Sequence, residues 1–161
     1  MAIKTQSAFL ISVSKMQIRF KKLSDQAQPP FKASLYAAGY DLVAISKEWD
    51  EQHSCWVFGT GLALEIPIGY VGLLFPRSSV FKTTHILANC VGVIDADYRG
   101  EVKVFFRDLN NGSLEYQIGE RVAQLIILPI PQVDYIETET ISETKRGIGG
   151  YGSTGNQIVE I

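Results

Sequence analysis

The chain has 161 residues, 46% of them hydrophobic and 20% charged, with a formal net charge of −2 and a pI near 5.7. That composition fits one globular domain and excludes wholesale disorder. With no basic stripe, it also argues against nucleic acid as a partner, so any nucleotide ligand must be held locally.

The longest apolar run near the N-terminus, Ala8 to Val13, is broken by Ser12 and is too short to cross a membrane. No clear small-residue cleavage site follows it. The expectation is an intracellular, cytoplasmic protein, nuclear or organellar if eukaryotic, with no membrane partner. Met16 offers an alternative start, so residues 1–15 read as an extension with little role in the fold.

From Met16 onward the pattern is β. Met16, Ile18 and Phe20 alternate with Gln17, Arg19 and Lys21, the period of a half-buried strand. Further strands are expected over 40–45, 55–66, 70–75, 102–109, 114–118, 121–128 and 133–138. Prolines punctuate them, and Asn110-Asn111-Gly112-Ser113 has the chemistry of a hairpin turn. The only helix candidate covers 78–85, after Pro76. Many short strands with regular turn signals favour a sandwich, jelly roll or small barrel. From Lys145 the chain is Gly-rich and reads as a mobile arm. Cys55 and Cys90 are expected to be free, buried thiols. Neither they nor His53 and His85 form a zinc-ligand pattern.

Five clusters carry candidate chemistry. Ala37-Ala38-Gly39-Tyr40-Asp41-Leu42 places a carboxylate after a Gly turn, near enough to serve a phosphate-bound metal, although a solvated turn Asp would look the same. Pro76-Arg77-Ser78-Ser79-Val80 offers a planar guanidinium and two hydroxyls to phosphate, or simply an N-cap beside a surface Arg. Gly92 to Gly100 reads as a β-hairpin with two carboxylates, Asp95 and Asp97, that share a side if the backbone stays extended. Val93 and Ile94 give Asp95 apolar neighbours, and one carboxylate could act as a general base on water. Gln124 interrupts the apolar run after Gly119-Glu120-Arg121, and a buried amide there needs partners.

The fifth cluster runs from Arg146 to Gly155 and contains a formal G-x-G-x-x-G at Gly147, Gly149 and Gly152. It is not a dinucleotide fingerprint, because only nine residues follow Gly152 and leave no room for the acidic residue that pattern requires. No Lys-Ser or Lys-Thr pair closes it as a P-loop. What remains is an arm whose backbone amides can wrap phosphates, with one Arg for charge and one aromatic for stacking.

Together, in this order and at this spacing, the five clusters resemble the conserved motifs of the trimeric dUTPase family, over roughly Met16 to Gly155. The resemblance implies an all-β, distorted jelly-roll barrel over 16–144, with an arm, 145–161, that closes a neighbouring active site in a homotrimer. It implies hydrolysis of dUTP to dUMP and pyrophosphate, with Mg²⁺ held mainly by the triphosphate. By the same resemblance Asp95 activates the attacking water, and Tyr98 packs beneath the deoxyribose and leaves no space for a 2′-hydroxyl. The backbone around Val93 and Ile94, joined by that near Lys103, reads the uracil edge, with Asn89 near the base. Arg77, Ser78, Ser79 and Gln124 take the phosphates, and Asp41 contacts Mg²⁺ through water. Arg146 matches the γ-phosphate Arg, Tyr151 the ring that stacks on uracil, and Gly152, Ser153 and Thr154 the phosphate lining. Three positions depart from the family pattern: Ser79 for Gly, Tyr151 for Phe and Glu120 for Asp. Two other readings on the same scaffold are a dCTP deaminase-like enzyme and a dUTP-binding regulatory protein.

Overall fold

The structure, a computed structural model, describes residues 16–109 and 116–153. The chain divides into two compact units, one through Pro131 and one from Gln132 onward. The described strands all lie in the first unit. They are β1 (Arg19–Lys22), β2 (Tyr40–Val43), β3 (Ser46–Asp50), β4 (Cys55–Glu65), β5 (Tyr70–Pro76), β6 (His85–Leu87), β7 (Gly92–Ile94), β8 (Glu101–Asp108) and β9 (Arg121–Pro129). A five-residue 3-10 helix, Ser78–Lys82, separates β5 from β6.

The strands form two antiparallel sheets, the all-β architecture expected of a jelly roll. One has the order β1-β4-β8-β6, with β3 also on β4, and the other β2-β9-β5-β7. Side-chain alternation explains how they close on one core. Along β8, Val102, Val104 and Phe106 turn inward while Lys103, Phe105 and Arg107 face out. β4 is flanked on both sides, by β1 and β3 along one edge and β8 along the other, so it is buried over most of its length. The core draws Phe58, Leu62, Val104 and Phe106 from the first sheet and Leu42, Leu74, Val122 and Leu125 from the second. At one part of it, His85 stacks on Phe106 at 5.3 Å between ring centroids, with Phe58 and Tyr116 packed around them.

Several expectations are corrected. The first strand begins at Arg19 rather than Met16, and all four of its residues are exposed, Phe20 at 45%. It pairs only with β4 and lies on the sheet edge, so its alternation reports no buried face of this chain. The segment 133–138 is not a strand: its β-branched residues find no ladder partner. Residues 116–118 are not a strand either, and the Asn110–Ser113 turn lies outside the described residues. The helix over 78–85 shrinks to a 3-10 helix, because Thr83 is extended at φ −110°, ψ 170° and His85 is drawn into β6. Strands β3 and β6 are additions to the expected set. Of the cysteines, both free, Cys55 is buried, but Cys90 is exposed at a positive φ of 59°.

Phe58 is fully buried, in edge-to-face contact with Phe106 at 5.8 Å. Phe58→Ala is expected to destabilise the fold by about 3–5 kcal/mol, through lost burial and an uncollapsed cavity. Chemical denaturation with an unchanged m-value would check it.

Candidate active site

The cluster from Gly92 to Gly100 does not form the expected hairpin. β7 pairs with β5 in one sheet, whereas β8 pairs with β4 and β6 in the other. The connection therefore crosses from sheet to sheet. Gly92 and Ile94 point inward, and Val93 and Asp95 point out. Gly92 has no room for a side chain to spare, since a Cβ would stand 3.0 Å from that of Leu74. Beyond Asp95 the backbone turns rather than staying extended: the Tyr98 amide donates to the Asp95 carbonyl at 3.2 Å. Asp95 and Asp97 are therefore not an alternating pair on one extended strand.

Tyr98 folds back over the glycine that follows the turn. A Cβ on Gly100 would lie 2.4 Å from the Tyr98 hydroxyl, so any side chain there would displace the Tyr98 ring from this position. The hydroxyl donates to the Glu101 carbonyl at 3.0 Å. A cleft of about 230 Å³ beside this turn gathers Asn89, Val93, Ile94, Asp95, Tyr98 and Lys103. Sequence reasoning placed all six in one site, and the structure brings them together. The apolar setting expected for Asp95 is only partly found, since Ile94 is buried but Val93 is 63% exposed and Asp95 faces solvent.

The first, second and fourth clusters also converge. Asp41 on β2 is buried, and its Oδ1 accepts from Arg77 Nε at 3.2 Å while Oδ2 accepts from Arg121 Nη1 at 2.9 Å. Arg77 Nη1 also donates to Ser79 Oγ at 3.2 Å and to the Arg121 carbonyl at 3.3 Å. Ser79, the departure from Gly, thus helps to orient the guanidinium. Gln124 is half-buried rather than buried, and its Nε2 donates to the Pro76 carbonyl at 3.0 Å, directly before Arg77. Close packing against Gln124 explains Gly39, whose Cβ would sit 2.7 Å from Gln124 Oε1. Ser78 is exposed at the start of the 3-10 helix.

A second cleft, of about 380 Å³, lies over this network and is lined by Arg77, Ser79, Lys82, Tyr116 and Arg121. Glu120 lines it too, so three cationic side chains stand against one carboxylate there, a balance that favours anions. Tyr116 is buried and its hydroxyl makes no well-formed hydrogen bond. Burial pushes its phenol above the ordinary value, while the nearby Ser79 hydroxyl and Arg77 pull the other way without outweighing it. Lys82, Tyr116 and Glu101 were missed as site residues. Lys82 and Tyr116 sit between the recognisable clusters, but Glu101 directly follows Gly100 and could have been suspected.

The arm residues belong to the second unit. Arg146 Nε donates to the Gly149 carbonyl at 2.7 Å, and the Gly149 amide returns to the Arg146 carbonyl at 2.9 Å. Tyr151 is exposed at a φ of 49°, Gly152 has a φ of 88°, and the Ser153 amide donates to the Gly150 carbonyl at 2.9 Å. Thr154 lies outside the described residues. A separate groove of about 360 Å³, lined by Met16, Ile18, Phe20, Leu64, Leu125 and others, is mainly apolar and carries no charged side chain for a phosphate. Among the described residues no three His, Cys, Asp or Glu side chains cluster to hold a metal ion.

A base-sized cleft beside an exposed carboxylate and an arginine-lined anion cleft, built on a two-sheet β fold, define a nucleotide-handling enzyme. Comparison with known proteins makes this specific. The family model described as dUTPase matches residues 25–155. A deoxyuridine 5′-triphosphate nucleotidohydrolase from Nautilia profundicola is 42% identical over 87% of this chain and 99% of its own. The one from Corynebacterium diphtheriae is 40% identical over 86% and 92%. The dUTPase of Staphylococcus bacteriophage 80alpha, solved with dUPNHPP, superposes with a TM-score of 0.71 at 27% identity, covering 88% of this chain and 100% of that one. A mutant dUTPase of phage phi11, described as coordinating a structural Mg(II) ion, gives a TM-score of 0.64 at 28% identity over 78% and 98%. The chain belongs to the dUTPase family, whose named relatives are hydrolases.

The Tyr116 phenol gives a stability signature. Its raised pKa means that the neutral form is favoured in the folded state, so its contribution is complete below the unfolded value near 10 and is lost as pH rises through the folded value. Tyr116→Phe is expected to hold stability at neutral pH within about 1 kcal/mol, because the hydroxyl lacks a good partner. It should also lose less stability than the parent above about pH 10. Thermal melts from pH 7 to about pH 11 would check both.

Proposed function

We propose that the chain hydrolyses dUTP to dUMP and pyrophosphate, with Asp95 as the general base. The observation that carries this reading is the joint placement of Asp95 and Tyr98 on one short turn, at a cleft shared with Val93, Ile94 and Lys103. Asp95 takes a proton from water, the water oxygen bonds to the α-phosphorus, and the bond from that phosphorus to the bridging oxygen of the β-phosphate breaks. The electron pair leaves with pyrophosphate. Tyr98 packs beneath the deoxyribose, and its anchored hydroxyl keeps the ring from yielding to a 2′-hydroxyl. The backbone around Val93 and Ile94 presents fixed donors and acceptors to the uracil edge, which rejects a base with the wrong pattern.

Arg77, pinned by Asp41, Ser79 and the Arg121 carbonyl, is preorganised for phosphate, with Ser78, Ser79 and Gln124 beside it. Mg²⁺ would fit as a cofactor carried by the triphosphate, because among the described residues the carboxylates stand apart and form no ligand cluster. Both Asp41 oxygens are taken by arginines, and their remaining lone pairs suit a metal-bound water rather than the ion itself. When bound, the ion offsets charge on the leaving pyrophosphate. The arm, with Arg146, Tyr151, Gly152, Ser153 and Thr154, closes over the substrate of a neighbouring subunit in a homotrimer. Its exposed Tyr151 ring is free to stack on uracil, and its Gly149 and Ser153 amides, which bond carbonyls within the arm, turn to phosphate oxygens as it closes.

Asp95→Asn should lower kcat for dUTP by about 10²–10⁴-fold and leave binding of a non-hydrolysable dUTP analogue nearly unchanged. Turnover within a few-fold of the parent would remove Asp95 from the role. Deleting residues 146–161 should cut dUTP hydrolysis by at least about 10²-fold with the melting temperature preserved, since the arm supplies closure and not core. Pyrophosphate release from dUTP, dCTP, dTTP and UTP, read beside ammonia release, separates this reading from a deaminase.

A further inference from the structure

We infer that Glu101 is a positioning residue that sets sugar selectivity, by tying the Tyr98 turn to a break in strand β4. The inference rests on the reading of Tyr98 as the wall beneath the deoxyribose. Three contacts converge on this one residue. Its carbonyl accepts the Tyr98 hydroxyl at 3.0 Å. Its Oε1 accepts the Gly61 amide at 2.7 Å. Its Oε2 faces Lys103 Nζ at 3.8 Å.

The Gly61 contact explains why an acceptor side chain is needed at this point. The β4–β8 ladder loses register between Gly59 and Ala63, so β8 backbone does not pair regularly with this stretch. Gly61 stands at a φ of 64°, a left-handed conformation, and its amide turns to the Glu101 carboxylate. Space is reserved for that carboxylate as well: a Cβ on Gly59 would lie 2.8 Å from Oε1. The Glu101 side chain is only 25% exposed, so the bond is sheltered from competing water. The Gly61 carbonyl, in turn, accepts the Leu23 amide at 2.8 Å, which fixes the break from its other side.

The consequence is a rigid chain of contacts. Barrel wall holds Glu101 carboxylate, Glu101 backbone holds the Tyr98 hydroxyl, and the Tyr98 amide holds the Asp95 carbonyl. Without the carboxylate anchor, the start of β8 is free to shift, and the Tyr98 ring moves with it. A shifted ring no longer excludes a 2′-hydroxyl. Because excluding one extra oxygen depends on the wall not giving way, selectivity between dUTP and UTP is more sensitive to this anchor than affinity for the shared triphosphate.

The test is steady-state kinetics with Mg²⁺, on dUTP and on UTP, for the parent chain, Glu101→Ala and Glu101→Gln. Gln keeps an oxygen acceptor for the Gly61 amide but gives up the charge facing Lys103. Glu101→Ala is expected to lower the ratio of kcat/KM for dUTP over UTP by about tenfold or more, with most of the change a gain in kcat/KM for UTP. Glu101→Gln should restore that ratio to within about threefold of the parent. A purely structural role would lower both activities together and leave the ratio unchanged, and that result overturns the inference. Should Glu101→Ala fail to fold, Glu101→Gln and Tyr98→Phe decide: a ratio kept by Gln and lowered by Phe, which cuts the tie to the Glu101 carbonyl, supports the anchor, and a ratio lost in Gln or kept in Phe overturns it. A parent chain that does not hydrolyse dUTP overturns the proposed function itself, whereas a selective parent with a selective Glu101→Ala overturns only the role given to Glu101.

Discussion

A single buried carboxylate organises the anion side of this molecule. Asp41 is held between two guanidinium groups, one from the turn after β5 and one from β9. Neither charge type is stable in a protein interior alone, and removing one partner of such a group strands the other. The arrangement therefore couples three distant stretches of chain. β2 must pair with β9, in a register that sets Asp41 opposite Gln124, and β9 must pair with β5 so that the turn carrying Arg77 ends beside both. Gln124 adds a second tie by bonding the Pro76 carbonyl. What looks like a phosphate-binding turn is thus the visible end of a sheet-wide constraint. Arg77 is presented in one orientation before any ligand arrives, which lowers the ordering cost of binding.

The base side is made differently. There a strand leaves one sheet and enters the other, and the side chains that would have faced a hairpin partner are released toward a cleft instead. Asp95 and Val93 face outward because Gly92 and Ile94 are committed to the core. Tyr98 is fixed by a glycine without a Cβ and by a backbone carbonyl, both within three residues of it. Local chain geometry sets most of this half, with one long-range tie from Glu101 to Gly61, whereas the anion half depends on long-range pairing throughout.

That difference decides how much could be read from the sequence. Strand β8 was legible because its alternation of Val and Phe with Lys and Arg reflects one buried and one open face. Segments β4, β5 and β9 were legible because central strands concentrate apolar residues. Strand β3 was not, since Ser46-Lys47-Glu48-Trp49-Asp50 has little hydrophobic pattern and is a strand only because β4 offers it a ladder. The opposite error arose at 133–138, where β-forming residues lack a partner. Asp95 and Tyr98 were legible as neighbours because one short turn keeps their chemistry contiguous. The pairing of Asp41 with Arg77 and Arg121 was invisible, since those residues are 36 and 80 positions apart. The same holds for Glu101 and Gly61, which meet only through the break in β4.

Strand β1 shows how the fold handles its own borders. It uses one side to pair with β4, and among the described residues nothing pairs with the other. An open border of this kind invites a second identical border to dock on it. Here the four residues are Arg19, Phe20, Lys21 and Lys22, so two such borders brought together would confront cation with cation. The protection is electrostatic rather than steric, and it weakens as the surrounding salt shortens the reach of the charges. Colloidal behaviour is thereby tied to ionic strength by three cations that contribute nothing to the core.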